Sequence, residues 1–332
     1  METALIILGG LVLLTLGGEF LVRGAVRIAA MLGMSPLLIG LTLVGFGTSV
    51  PELVTSVQAS IAGSSGIAIG NIVGSNIANI LLILGLAALI SPIAVGASAL
   101  RRDAAMVVFT AVLMGAVGWL WTMDRAVGVV FSLLLAGYLV YAYRQERETS
   151  VAGDAPHTAA FEKGEALEEL IPHTPKKAAR SGAGAVAIAI LLVLAGLALL
   201  VFGGGLLVDG AIGLARGIGV SESVIGLTIV AIGTSMPELV TSVVAAMRKH
   251  SDVALGNVLG SNIYNVLGVG GLTALISPTD ISAEMLNVDI PVMIGVSLLL
   301  VAFASTGRLL SRIEGALLVA GYIAYVALIW PQ

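Results

Sequence analysis

The stretch GTSVPELVTS at residues 47–56 occurs again as GTSMPELVTS at residues 233–242, each time inside a long apolar run. The two copies lie 186 positions apart. When the second half is shifted back by that distance, residues 35–92 align with residues 221–278 without a gap, and about 34 of 58 positions are identical. Self-similarity of this length indicates that one structural unit was duplicated. The duplication decides the fold.

The composition is that of a membrane protein. Of 332 residues, 58% are hydrophobic and only 11% are charged, which lies far outside the range of soluble domains. A helix needs about 20 apolar residues to cross the hydrocarbon core. The sequence predicts ten such spans, near residues 4–22, 35–62, 66–90, 103–121, 126–143, 184–208, 221–247, 253–276, 287–305 and 309–330.

The predicted fold class is an all-α polytopic membrane protein built from two repeats. Residues 1–143 form the first repeat, residues 144–182 a linker, and residues 183–332 the second repeat. Each repeat holds five spans, an odd number, so the second enters the membrane from the opposite side. We therefore expect two inverted five-helix repeats whose identical motifs face each other near the midplane.

The few basic residues predict the orientation. With the N-terminus outside, the cytoplasmic connections hold fourteen of the sixteen Lys and Arg residues, and Arg125 and Arg216 are the two exceptions. Both termini are therefore expected outside and the linker in the cytoplasm. A cleaved signal peptide is not expected, because the N-terminus carries Glu2 and no basic region before its apolar segment.

The linker is the one long polar stretch of the chain. It contains Pro156, Pro172 and Pro175 among Glu and Lys residues, and it is too poor in apolar residues for a core of its own. An amphipathic helix near FEKGEALEELI, at residues 161–171, is the alternative to an unstructured connection.

Each motif combines a helix break with oxygen ligands. Pro51 and Pro237 lack a backbone N–H and crowd the carbonyl four residues earlier, so both helices must break or kink there. Irregular backbone at membrane depth survives only where it is buried in protein or lines a polar cavity. Thr48, Glu52 and Ser56 are spaced by four, which places them on one helical face.

Glu52 and Glu238 are the strongest functional candidates, because a carboxylate within the bilayer is costly and is usually retained for function. A structural role would require a basic partner. Only Arg248 and Lys249 lie near these helices in the sequence, at the end of the seventh span. We therefore expect the two carboxylates to share a bound cation or to take up protons.

The helices that follow the motifs supply further polar groups. Ser75 and Asn79 are spaced by four and are matched by Ser261 and Asn265. Asn71, Asn76, Asn257 and Asn262 can equally be ligands or interhelical hydrogen-bonding groups. The glycines at positions 66, 70 and 74 are more simply explained by close helix packing than by ligand contact.

The ligand set points to a hard cation. Hydroxyls, amides, backbone carbonyls and two carboxylates suit Ca²⁺ or Na⁺, whereas zinc, copper or iron would require nitrogen or sulfur. The chain has no cysteine, and His157, His173 and His250 form no cluster in the sequence.

The doubled motif resembles a known family. GTSVPE and GTSMPE, followed by GSNIAN and GSNIYN in the two halves, are similar to the paired alpha repeats of the calcium/cation antiporter superfamily, in particular the prokaryotic type of its sodium/calcium exchanger branch. The resemblance implies Glu52 and Glu238 as central calcium ligands, beside Thr48 and Thr234. It implies sodium positions at Ser49 and Ser235, further ligands at Ser75, Asn79, Ser261 and Asn265, and carbonyl ligands at Gly45 and Ala231.

One position departs from part of the superfamily. Potassium-dependent relatives, and some prokaryotic ones, carry Asp where this chain has Asn265, so the resemblance implies one fewer formal charge and an exchanger that does not depend on potassium. Its transported partners would be Ca²⁺ and Na⁺ in a lipid bilayer, with no enzymatic activity, separate cofactor, nucleic acid or obligate protein partner. The expected location is a prokaryotic inner membrane.

The expected function is therefore sodium/calcium antiport, with three Na⁺ exchanged for each Ca²⁺ and a net charge moved per cycle. Alternating access would come from the first and sixth spans, whose glycines at 17, 18, 203, 204 and 205 suit either sliding contacts or tight packing. A proton/calcium antiporter, in which both glutamates carry protons, is the main alternative. A cation channel would need an open path and usually a ring of subunits, and an intramembrane protease would need an aspartate pair in the repeat helices.

Overall fold

The computed structural model describes residues 2–32, 39, 45–96, 100–152, 158–163, 183–305 and 308–330. These residues are largely helical. The principal helices are α1 (Glu2–Met31), α2 (Val50–Ile61), α3 (Ser65–Ile90), α4 (Arg102–Leu120), α5 (Arg125–Ala152), α6 (Ala183–Ile218), α7 (Glu222–Thr234), α8 (Met236–Met247), α9 (Val253–Ile276), α10 (Ala283–Ser305) and α11 (Arg312–Ile329).

The helices agree with a multi-pass membrane protein. Within the described ranges, eight helices are long and apolar enough to cross a bilayer, and the bent pair α7 and α8 makes a ninth. The axes of that pair differ by 51° at the break. The remaining predicted span, residues 35–62, is represented by the short helix Gly45–Gly47 and by α2, because residues 33–38 and 40–44 lie outside the described ranges.

Helices α3 and α9 form the centre of the protein. In the most apolar 18 residues of each, 83% are buried, against 17% for α6. The glycines of α3 explain one of the close contacts: a Cβ at Gly74 would lie 2.5 Å from the Leu227 carbonyl oxygen, and a Cβ at Gly70 would lie 3.0 Å from Gly226. The packing role predicted for these glycines is confirmed.

Both central helices widen in their middle. A π-helical turn spans Asn79–Leu84 in α3, and another spans Tyr264–Gly270 in α9. Such turns are often found at functional sites, because they rotate the helix and disturb its regular hydrogen bonding. Here they carry two of the predicted ligands, Asn79 and Asn265.

Helices α1 and α6 form a closely packed pair. A Cβ at Gly10 would lie 2.8 Å from the Gly203 carbonyl oxygen, and a Cβ at Gly17 would lie 2.9 Å from the Gly196 carbonyl oxygen. Both helices, at 30 and 36 residues, are longer than the spans predicted for them. Small residues at these positions let the two backbones approach.

Two contacts between loops are related by the same shift of 186 residues. Strand β1 (Ile93–Ala94) pairs antiparallel with β2 (Leu309–Leu310), so that Ile93 faces Leu310. A separate β-bridge joins Met123 to Thr279. Position 279 is 93 plus 186, and position 309 is 123 plus 186. The second contact therefore joins the same two regions as the first with the halves exchanged, one residue out of register.

Candidate functional site

The breaks in the two motif helices lie in corresponding places. Thr48 and Ser49 separate the helix Gly45–Gly47 from α2, and Ser235 separates α7 from α8. In both cases proline occupies the first turn of the helix that follows. All twelve predicted site residues are buried: Thr48, Ser49, Glu52, Ser75, Asn79, Thr234, Ser235, Glu238, Ser261, Asn265, Gly45 and Ala231.

The carboxylate of Glu52 is contacted by the opposite motif. Ser235 Oγ donates a hydrogen bond to Glu52 Oε1 over 2.9 Å, and Glu52 has no exposed surface. Among the described residues, Glu52 Oε2 has no hydrogen-bonding partner. The two copies of the motif therefore meet around this carboxylate, and one of its oxygens remains available to a ligand.

The carboxylate of Glu238 has a basic neighbour that the sequence argument missed. Lys163 Nζ lies 3.4 Å from Glu238 Oε1, and both side chains are fully buried. The same ammonium donates to Ser49 Oγ over 3.0 Å and to Ser261 Oγ over 2.5 Å. The expectation that neither glutamate meets a lysine is wrong for Glu238, because Lys163 is distant in sequence from the motif helices but adjacent to them in space.

Lys163 belongs to a helical segment, residues 159–163, within the predicted linker. For residues 159–163 the structure therefore shows a helix, not an unstructured connection. Two glycines of α9 provide the space: a Cβ at Gly260 would lie 3.1 Å from Lys163 Cβ, and one at Gly256 would collide with Glu162. Residues 164–171, the rest of the predicted amphipathic helix, lie outside the described ranges.

Further contacts hold the linker helix in place. The backbone N–H of Ala159 donates to Asp103 Oδ2 over 3.1 Å, and Tyr138 OH donates to Asp103 Oδ1 over 3.4 Å. The ammonium of Lys163 also lies 5.4 Å from the centre of the Tyr264 ring, within cation–π range. Ala159 and Lys163 lie in a polar stretch of the sequence, and nothing in that stretch predicted their contacts with Asp103 and Tyr264.

Several predicted ligand atoms have no partner. Buried side-chain oxygens and nitrogens without a hydrogen bond within the described part of the chain include Thr48 Oγ1, Glu52 Oε2, Asn79 Oδ1, Glu238 Oε2 and both amide atoms of Asn265. Buried polar atoms are normally paired, so such a cluster is unusual in a folded core. The oxygens in this set match the preference of Ca²⁺ and Na⁺ for oxygen ligands.

The four additional asparagines divide into two groups. Asn76 donates to the Ile72 carbonyl of its own helix over 2.8 Å, and Asn262 Oδ1 accepts from Asn79 Nδ2 over 3.0 Å. Asn71 and Asn257 instead hold the motif helices, at Glu52 and Glu238 respectively. All four thus make hydrogen bonds within or between helices, one of the two interpretations that the sequence left open.

The predicted site residues include no histidine and no cysteine. The chain contains no cysteine. Within the described ranges, no group of three or more His, Asp or Glu residues is placed to hold a metal ion. The site therefore offers two carboxylates surrounded by hydroxyl, amide and carbonyl groups, together with the ammonium of Lys163.

Comparison with known proteins gives matches over nearly the whole chain. Residues 2–144 and 188–330 match the family described as sodium/calcium exchanger protein. The chain is 37% identical to the sodium/calcium exchanger MaX1 of Methanosarcina acetivorans, with 98% of each chain covered. It is 34% identical to the inner membrane protein YrbG of Escherichia coli, with 99% of this chain and 97% of the relative covered.

A similar solved structure is that of the sodium-calcium exchanger NCX_Mj soaked with 10 mM Na⁺ and without Ca²⁺. It is 33% identical to this chain, covers 98% of both chains and superposes with a TM-score of 0.60.

Proposed function

Since the chain belongs to the sodium/calcium exchanger protein family, we propose that it is a secondary active antiporter that exchanges Na⁺ for Ca²⁺ at a site formed by both motifs. The contact between Ser235 of one motif and Glu52 of the other carries the proposal, because it places both halves at one buried carboxylate. Unpartnered oxygens around that contact offer the ligands that a hard cation requires.

The residues that would bind Ca²⁺ are Glu52 and Glu238, with the hydroxyls and carbonyls of Thr48 and Thr234. Ser49, Ser235, Ser75, Ser261, Asn79, Asn265 and the carbonyls of Gly45 and Ala231 would complete the Ca²⁺ and Na⁺ positions. The burial of all these residues and the absence of nitrogen ligands among them support the assignment.

The loop contacts support ten spans in two inverted repeats. The β1 and β2 pairing places the end of α3 on the same side as the start of α11. The Met123–Thr279 bridge places the end of α4 on the same side as the end of α9. Because α4 starts where α3 ends and crosses to the other side, the corresponding helices α3 and α9 end on opposite sides, as inversion requires.

Ion gradients favour three Na⁺ for each Ca²⁺ if the protein exports calcium. With an assumed 10⁴-fold gradient and 100 mV, exporting one Ca²⁺ costs about 10 kcal/mol. Each Na⁺ entering down a tenfold gradient returns about 3.7 kcal/mol. Two Na⁺ supply about 7.4 kcal/mol and three supply about 11 kcal/mol. Three are therefore needed, and one net charge crosses the membrane in each cycle.

Alternating access would come from the α1 and α6 pair moving over the central helices. Their closely packed glycines would let the pair move as one unit. The pair contacts the motif helix α2 at Gly204, which faces Val54 and Gln58. Gln58 Nε2 also donates to the Val201 carbonyl over 2.8 Å, which is a polar contact between the pair and α2. The membrane would be a prokaryotic inner membrane, as for the E. coli relative, with both termini outside.

The test is ⁴⁵Ca²⁺ uptake by purified protein in liposomes loaded with Na⁺, compared with choline-loaded liposomes under an imposed pH gradient. Uptake that requires internal Na⁺ and responds to a clamped membrane potential would establish electrogenic exchange. Uptake driven by the pH gradient without Na⁺ would make the protein a proton/calcium antiporter instead. Uptake in choline without any gradient would indicate a channel.

A further inference from the structure

Asn71 lies between the motif helix that carries Glu52 and the opposite motif, and its side-chain amide makes hydrogen bonds to both. Its amide nitrogen donates to the Glu52 carbonyl over 3.1 Å and to Ser56 Oγ over 2.9 Å. Its oxygen accepts from Thr234 Oγ1 over 2.9 Å. One side chain of α3 therefore contacts the first turn of α2 and the threonine of the opposite motif.

The amide nitrogen of Asn257 makes the corresponding contacts in the other half. Its amide nitrogen donates to the Glu238 carbonyl over 3.1 Å and to Ser242 Oγ over 2.8 Å. The distances agree with those of Asn71 within 0.1 Å. Duplicated geometry of this kind indicates that the amide fixes the rotation of the helical turn that carries each carboxylate.

The contact with Thr234 has a further consequence for the ligand carbonyls. The single hydroxyl hydrogen of Thr234 has three acceptors within reach: Asn71 Oδ1 at 2.9 Å, the Val230 carbonyl at 3.1 Å and the Ala231 carbonyl at 3.4 Å. A hydroxyl donates one hydrogen bond at a time. By accepting this hydrogen at the shortest of the three distances, Asn71 competes with the carbonyl of Ala231, which also accepts from the Ser235 backbone N–H over 3.1 Å and from Ser75 Oγ over 3.4 Å.

The two halves differ at this point. The counterpart of the Thr234–Asn71 bond would join Thr48 to Asn257, but Asn257 Oδ1 is buried without a hydrogen-bonding partner within the described part of the chain, so that bond is not made. The threonine–asparagine hydrogen bond is thus made between Thr234 and Asn71 and is not made between Thr48 and Asn257.

We propose that Asn71 and Asn257 are positioning residues of the ion site, which orient the Glu52 and Glu238 turns and, through Asn71, the Thr234 hydroxyl. This inference rests on the proposed function, because it concerns how well that site binds its ions. Neither asparagine would contact the transported ion itself. Groups that orient ligands in this way typically contribute about 10- to 100-fold to metal affinity.

The test compares Asn71→Ala and Asn257→Ala with Asn76→Ala as the matched control. Asn76 is a buried asparagine of the same helix, and its amide donates only to the Ile72 carbonyl within that helix. We expect both test variants to raise the apparent KM for Ca²⁺ about tenfold or more, with a smaller change in maximal rate. The control should lower the melting temperature without changing KM. If one test variant does not fold, the other decides.

A second measurement addresses the asymmetry without transport. In cation-free protein, the effects of Thr234→Val and Asn71→Ala on the melting temperature should be non-additive, because the two side chains share a hydrogen bond. The effects of Thr48→Val and Asn257→Ala should be additive. The reverse pattern would overturn the assigned contacts.

The outcomes separate the two proposals. Absence of any Ca²⁺ or Na⁺ transport by the wild-type protein would overturn the proposed function and this inference together. Wild-type exchange accompanied by an unchanged KM in both Asn71→Ala and Asn257→Ala would overturn the inference and leave the proposed function intact.

Discussion

Ser235 Oγ lies 2.9 Å from Glu52 Oε1 and donates a hydrogen bond to it, although the two residues are 183 positions apart in the chain. Each belongs to a different copy of the same short motif. The contact joins the two copies into one buried site with two carboxylates.

Neutralising either carboxylate should stop calcium transport. We expect Glu52→Gln and Glu238→Gln to reduce Na⁺-dependent ⁴⁵Ca²⁺ uptake by about a hundredfold or more, because each removes a charged ligand from a buried site where nothing else replaces it. Size-exclusion chromatography should show both variants folded. Glu284→Gln, at an exposed glutamate, is the control and should transport normally. Wild-type rates in either site variant would refute the assignment.

Removing the charge of Lys163 should strengthen calcium binding. Its ammonium occupies hydrogen-bonding positions on Glu238, Ser49 and Ser261 that an ion would need. If those bonds contribute about 1.5 kcal/mol net, Lys163→Gln should lower the apparent KM for Ca²⁺ about tenfold. The variant should also be less stable without cations, because Glu238 then loses its buried partner.

The control for Lys163 is Lys249→Gln, at an exposed lysine near the end of α8. It should leave both KM and melting temperature unchanged. An unchanged KM in Lys163→Gln would show that the amine does not compete with the ion during transport.

Adding a third carboxylate should alter cation coupling. Asn265 is fully buried and neither of its amide atoms has a partner within the described ranges, so Asn265→Asp would introduce an uncompensated charge. We expect this variant to require an additional cation, detected as ⁴⁵Ca²⁺ uptake that increases with K⁺. The comparison is Asn79→Asp at the related position, where the amide donates to Asn262 and aspartate would lose that bond. Identical ion dependence in wild-type protein and Asn265→Asp would contradict the expectation.

Enlarging a glycine between α1 and α6 should weaken their packing. A Cβ at Gly17 would lie 2.8 Å from the Leu200 backbone nitrogen, so Gly17→Ala forces the two helices apart. Overpacking of this kind costs about 1–3 kcal/mol, which should lower the melting temperature and the transport rate together. Gly9→Ala is the control in the same helix, because nothing lies within 4 Å of its added Cβ. Equal melting temperatures for the two variants would argue against a tight pair.

Much of the fold could be predicted from local and repeated features. The length of the apolar runs predicted the spans, and the 186-residue shift predicted the matching halves. Pro237 predicted a break in its helix, and the structure has a bend of 51° between α7 and α8. Glu52 and Glu238 are buried, as predicted. A broken helix at membrane depth must turn its polar face and irregular backbone toward the inside of the protein, away from lipid.

The sequence by itself determined which residues could form the site: the spacing of Thr, Ser, Pro and Glu acts within one helical turn and therefore needs no distant partner. Only the tertiary structure decided which of them meet. Ser235 at Glu52, Lys163 at Glu238 and Thr234 at Asn71 are separated by 183, 75 and 163 positions. Such contacts depend on how the helices pack against one another, and a local sequence pattern does not specify which helices become neighbours.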